Sequence, residues 1–150
     1  MKISAICTDI DGTLLDKHRQ ISPRTLEAFA ALPDNFPVIL ASSRMPAAMA
    51  HLLEDLKRVD NPLVCYNGGY VVRSTKKNNE QIHSTHISVD LCDKIVGLAG
   101  QTDVHVSLYS GDDWYAPTKD KWTIKEETAT KVNAKLEDHQ SVITHWRRMD

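Results

Sequence analysis

Asp9 and Asp11 are the residues whose type and spacing point most directly to chemistry. They follow the mostly apolar run Ile3-Ser4-Ala5-Ile6-Cys7 and lead into Gly12 and Thr13. In extended backbone, residues two apart point to the same side, so both carboxylates can face one cleft. Two neighbouring anions need a cation. A hard divalent ion such as Mg²⁺ suits them, because it takes carboxylate and backbone oxygens, keeps several waters and accepts phosphate oxygens as further ligands. Gly12 lets the backbone turn sharply and approach a ligand, amides left free in such a loop bind phosphoryl oxygens, and Thr13 can hold the turn. The bland alternative is a solvated Asp-Gly turn. A calcium loop is excluded, since the twelfth position counted from Asp9 is Gln20 where Glu is required.

The elements around this pair make a ligand site of it. Ile3 to Cys7 reads as a buried strand entering a loop, and in an open parallel sheet ligands bind beyond the carboxyl ends of the strands. Ser22-Pro23 reads as a helix cap followed by proline at the first helical position, with Ile21 and Leu26 packing across the start. That helix is expected to turn Leu26, Phe29 and Ala30 inward, and Pro33 and Pro37 end it. Val38-Ile39-Leu40-Ala41 is a second apolar strand running into Ser42-Ser43-Arg44. Pro46 opens a helix with Met49, Leu52, Leu53, Leu56 and Val59 at helical spacing. Leu63-Val64-Cys65-Tyr66 is a third strand, and Asn67-Gly68 turns the chain into Tyr70-Val71-Val72. Apolar strands alternating with amphipathic helices predict a parallel sheet covered on both faces.

From about Gln81 the pattern changes. Ile82 to Ile87 is a candidate strand, and Ser88 can cap a helix bearing Leu91, Ile95 and Leu98 that Gly100 ends. Val104, Val106 and Leu108 alternate with polar residues, as in a strand exposed on one face, and Gly111-Asp112 reads as a hairpin turn toward Trp114-Tyr115. A small mixed sheet with a helix is the expectation. Helical spacing from Lys125 to Asp138 is only fair, and Val142 to Trp146 fits either a strand or a helix start. Two domains follow, 1–80 and 81–150.

Composition narrows the partner. The 18 basic and 20 acidic side chains nearly cancel, and no basic block suggests nucleic acid or a membrane surface. No segment has transmembrane length. Cys7, Cys65 and Cys92, odd in number and in apolar surroundings, fit reduced buried thiols and a cytoplasmic protein. Disorder is expected only around Lys76-Lys77-Asn78-Asn79.

The run Asp9-Ile10-Asp11-Gly12-Thr13-Leu14-Leu15 resembles the first motif of the haloacid dehalogenase superfamily, most of whose members are phosphatases. Val38 through Pro46 resembles the second motif, which in the Cof-type branch usually reads Thr-Gly-Arg-Pro; here Ser42 stands for Thr and Ser43 for Gly. Tyr66-Asn67-Gly68-Gly69 resembles the branch's Asn-Gly-Ala element, and His105 through Pro117 its large α/β cap. The resemblance implies an α/β fold with a parallel Rossmann-like core and an inserted α/β cap domain.

It also implies roles. Asp9 would be the nucleophile forming an aspartyl-phosphate and Asp11 the acid/base, with both residues holding Mg²⁺. Ser42, Ser43, Arg44, Asn67, Gly12 and Thr13 would face the substrate, a small phosphorylated metabolite such as a sugar phosphate. Arg44 could instead brace the loop by pairing with an acid, and Asn67 could be only a turn residue. Trp114, Tyr115 and Trp122 either line a pocket or form the second domain's own core. His83 and His86 sit at odd spacing, which sends strand side chains to opposite faces.

The superfamily's later lysine and acidic motif have no counterpart before Asp150. Core and cap are therefore both expected to be incomplete, leaving an N-terminal portion of a longer hydrolase, a truncated binding protein, or a half-site completed by another chain. An exposed sheet edge would favour self-association.

Overall fold

The computed structural model describes residues 2–74 and 79–149. Lys76, Lys77 and Asn78, where disorder was expected, lie outside the described residues. Strands and helices alternate as β1 (Ile6–Asp9), α1 (Pro23–Ala30), β2 (Val38–Ala41), α2 (Ala50–Asp55), β3 (Pro62–Cys65), β4 (Tyr70–Ser74) and β5 (Asn79–Ser84). They continue as α3 (Val89–Ala99), β6 (Leu108–Ser110), β7 (Asp113–Ala116), α4 (Lys121–Thr130), β8 (Lys135–Leu136) and α5 (His139–Trp146). Among the described residues no helix is long and apolar enough to cross a membrane.

The chain divides into two compact units, residues 1–85 and 86–150. In the first, the sheet order is β1-β2-β3-β4-β5. β1, β2 and β3 run parallel, while β4 and β5 are antiparallel additions. The expectation of an incomplete core and an incomplete cap is overturned here, because each unit has its own sheet, helices and apolar core. The hairpin strand β5, which the change of pattern near Gln81 had assigned to the second domain, instead extends the first sheet to five strands.

The sheet is covered on one face, not two. Val38, Leu40, Leu63, Cys65 and Val72 are buried together with Leu52, Leu53 and Leu56, and Leu26 and Phe29 of α1 pack on the same cluster. Strand order advances in one direction from β1 to β3, and successive crossovers of one handedness then lay both helices on the same side. Cys7, at a position paired with Ile39 on β2, is exposed rather than buried.

Ser22 caps α1 by accepting from the Thr25 amide, and proline occupies the first turn. Ala30 is exposed rather than inward. The helix expected from Pro46 is split into a 3₁₀ turn, Pro46–Ala48, and the short α2 by the non-helical backbone of Met49. Its buried stripe of Met49, Leu52, Leu53 and Leu56 survives the break.

In the second unit β6 and β7 pair antiparallel and β7 and β8 parallel, a mixed sheet. Gly111-Asp112 is the hairpin turn between β6 and β7. Val89 and Val96 pack against Leu108, Val142 and Ile143, whereas Leu91, Ile95 and Leu98 of α3 are exposed. Three leucine and isoleucine residues at helical spacing look inward in sequence, but it is the valine stripe beside them that meets Leu108 and the Val142 and Ile143 side chains of α5. Val104 is exposed and outside regular strand, so the expected strand shortens to β6. Trp114 is buried in this unit, while Trp122 is exposed on α4.

Candidate active site

β1 ends at Asp9, and the chain then winds around one carbonyl. Ile10, fully buried, anchors the turn: its carbonyl accepts from the amides of Thr13, Leu14 and Leu15 at 3.4, 3.1 and 3.0 Å. These three amides are used inside the loop, so they do not serve as the free phosphate donors that the Asp-Gly-Thr pattern suggested. Gly12 has φ +79°, and a Cβ there would meet nothing within 4 Å. Left-handed backbone rather than crowding accounts for glycine at this position.

Thr13 Oγ1 donates to Asp9 Oδ2 at 3.1 Å. Asp9 is exposed, and among the described residues its Oδ1 carries no hydrogen bond. Asp11 is held differently. Arg44 grips it with two parallel bonds, Nε to Oδ2 at 3.0 Å and Nη2 to Oδ1 at 2.7 Å. Arg44 is buried beneath the loop, with only 6% of its side chain exposed against 50% for Asp11. A second guanidinium, Arg19 Nη2, reaches Asp11 Oδ1 at 3.1 Å.

Arg19 was not foreseen. It is presented by a tight turn in which Asp16 Oδ1 accepts from the His18 and Gln20 amides, and the Arg19 backbone adopts φ 60°. The Gln20 amide, followed by that of His18, holds the Asp16 carboxyl below the usual carboxylate range. The polar run Asp16 to Gln20 signals a turn in sequence, but nothing local says that it folds back onto a residue eight positions earlier.

The loops after β2 and β3 close against each other. Ser42 donates its amide to the Val64 carbonyl at 2.9 Å, and its own carbonyl accepts from the Asn67 amide at 3.1 Å. Its Oγ accepts from the Arg44 amide at 3.3 Å, which leaves the hydroxyl proton available to donate elsewhere. The Tyr66 amide donates to the Arg44 carbonyl at 3.2 Å. Tyr66, Asn67 and Gly68 all have positive φ, so Asn67 occupies the left-handed backbone that its residue type tolerates. Asn67 and Ser43 are both exposed. The structure thus ties Asp11, Ser42, Arg44 and Asn67 into one hydrogen-bonded group, with Asp9 and Thr13 beside it and Ser43 pointing to solvent.

The arrangement offers an exposed carboxylate oriented by a hydroxyl, next to a second carboxylate fixed by guanidinium groups. Among the described residues no group of three or more His, Cys, Asp and Glu side chains is gathered closely enough to hold a metal.

Comparison with known proteins gives this geometry a context. The family model for haloacid dehalogenase-like hydrolases matches residues 6–148. A candidate phosphatase of Haemophilus influenzae is 30% identical over 135 residues, covering 88% of this chain and 50% of that protein. The 5-amino-6-(5-phospho-D-ribitylamino)uracil phosphatase of Bacillus subtilis is 25% identical over 154 residues, covering 97% of this chain and 57% of its own length. A crystal structure from Thermotoga maritima superposes with a TM-score of 0.79 at 20% identity, over 99% of this chain and 54% of that one. Both units find counterparts in that fold. The chain spans about half the length of the relatives it matches. It belongs to the haloacid dehalogenase-like hydrolases.

Proposed function

We propose that this chain provides the nucleophile and acid/base of a Mg²⁺-dependent phosphomonoester hydrolase of the Cof-type branch. The observation that carries the reading is Asp9 itself: an exposed carboxylate at the end of β1, one oxygen steadied by Thr13 and the other without a hydrogen bond among the described residues. Asp9 Oδ1 attacks phosphorus, the bond to the leaving alkoxide breaks, and an aspartyl-phosphate remains for water to hydrolyse. Asp11 gives the leaving oxygen its proton and takes one from the incoming water. Arg44 engages one site on each Asp11 oxygen and Arg19 a second site on Oδ1, so opening one of these contacts frees further room for the proton. Arg19, half exposed, is the contact that opens at least cost.

The donor set fits Mg²⁺, which keeps much of its water and needs few protein oxygens. Asp9 and Asp11 would hold it, and when bound it offsets the negative charge gathered between these acids and a phosphoryl group. Ser42 directs its hydroxyl proton to a phosphoryl oxygen. Small phosphorylated metabolites such as sugar phosphates are the proposed substrates, a reading supported by the phosphorylated ribityl chain in the name of the Bacillus subtilis relative. Three free thiols support a reducing, cytoplasmic setting.

A generic phosphomonoester assay of the 150-residue chain with and without Mg²⁺ tests the proposal. Metal-dependent turnover lost in Asp9→Asn is expected, and its absence from pure protein defeats the enzymatic reading for this chain. The double guanidinium grip on Asp11 favours a second reading, a phosphate- and metal-binding unit that associates with another chain. β1 is the terminal strand of its sheet, and its outer edge is the proposed contact. Saturable binding of a phosphate analogue without turnover, with a dimer in sedimentation, would select that reading.

A further inference from the structure

The second unit holds a hydrogen-bonded chain of three side chains that the phosphatase reading does not use. His105 Nδ1 lies 2.9 Å from Asp120 Oδ2, and His105 Nε2 lies 2.9 Å from Ser107 Oγ. His105 and Ser107 lie two apart in the segment just before β6, and their hydrogen bond places both side chains together. Asp120 comes from the cap of α4, where its other oxygen, Oδ1, accepts from the Trp122 and Thr123 amides at 2.9 and 2.8 Å and from Thr123 Oγ1 at 3.1 Å. One carboxylate oxygen is thereby locked to the helix, and the other is aimed at the imidazole.

This geometry sets the direction of the proton. The Thr123 amide first, then the His105 contact, holds the Asp120 carboxyl down to about 2. The carboxylate is therefore ionised near neutrality and can only accept, which places the imidazole proton on Nδ1 and leaves Nε2 to receive the hydroxyl proton of Ser107. Burial, then the charge of Glu126, raises the phenol of Tyr109, two positions on from Ser107.

We propose that Ser107 is an activated nucleophile, with His105 as its general base and Asp120 as the positioning acid, and that this unit carries a second, acyl-transfer activity on small carboxylic esters. Ser107 Oγ forms the bond to the ester carbonyl carbon while its proton passes to His105 Nε2. The carbon–oxygen bond to the leaving alcohol then breaks, and the alcohol departs with that proton. Water, deprotonated in turn by His105, releases the carboxylic acid and restores the serine hydroxyl. No redox partner is needed, and nothing in the sequence passes through Asp9 or its metal.

Full-length chain treated with a fluorophosphonate probe tests this, with intact-mass and peptide mapping as the readout. One probe group on Ser107 is expected, absent in S107A, slowed about 100-fold in H105Q and unchanged in D9N. In D120N the helix cap survives, but the acceptor that sets the imidazole tautomer is weakened, so labelling slows while the circular dichroism spectrum is retained. Hydrolysis of p-nitrophenyl acetate should fall in parallel. Failure of the native chain to label, labelling elsewhere, or equal rates in native and H105Q protein would overturn the proposal.

Discussion

Arg44 binds Asp11 through two parallel contacts, at 3.0 and 2.7 Å, from beneath a loop in which the arginine is buried and the aspartate half exposed. The two ends of this pair should respond differently to mutation. Asp11→Asn leaves a buried guanidinium with one weakened acceptor, and the folded state should lose about 1–3 kcal/mol in urea denaturation. Arg44→Lys keeps the charge but not the planar fork, so it should also release the loop and lower turnover.

Asp9 presents the opposite balance. It is exposed and, among the described residues, its side chain makes one hydrogen bond, with Thr13, so Asp9→Asn should leave stability within about 0.5 kcal/mol of the native chain. Phosphatase turnover should nevertheless fall by roughly 10⁴-fold, the scale on which removing a covalent nucleophile acts. Thermal melts and turnover measured on one preparation separate the two effects.

Arg58 is a second buried arginine, and it caps a helix rather than a carboxylate. Its Nη2 donates to the carbonyls of Phe29 and Leu32 at 3.2 Å each, and Nη1 donates to that of Asp34 at 3.2 Å. Positive charge at a helix C-terminus and pairing of the last carbonyls both stabilise α1. Arg58→Ala should cost about 2–4 kcal/mol by denaturant unfolding, with the first unit losing protection from hydrogen exchange around α1.

Asp120 makes the second unit sensitive to acid. Its carboxyl is lowered from 3.8 to about 2 by the Thr123 amide first and the His105 contact after it. A depressed folded-state value means that its stabilisation is fully present above 3.8, declines below that, and is lost as pH falls through about 2. Asp120→Asn should flatten this part of the acid-unfolding curve, read by circular dichroism between those limits.

The strands bearing the site could be read from their residues because each is a short apolar run ending in a polar loop: Ile6 before Asp9, Val38 to Ala41 before Ser42, Leu63 to Cys65 before Asn67. Caps were equally plain, since Ser22 and Ser88 accept from amides three residues on, a local relationship. What escaped was long-range. The partnership of Arg19 and Arg44 on one Asp11 oxygen depends on how two loops meet, and the carbonyls served by Arg58 lie up to 29 residues away. The uncovered face of the first sheet depends on strand order, which apolar runs alone do not specify. Leu91, Ile95 and Leu98 misled because helical spacing finds a stripe without saying which of two adjacent stripes the core accepts.

The central claim is that Asp9 becomes phosphorylated. The most direct measurement is the intact mass of the chain after acid quench from acetyl phosphate and Mg²⁺, followed by peptide mapping. The account predicts a mass gain of one phosphoryl group on Asp9, absent without Mg²⁺ and absent in Asp9→Asn. Hydrolysis of acetyl phosphate with no such adduct, or an adduct that persists in Asp9→Asn, would contradict it.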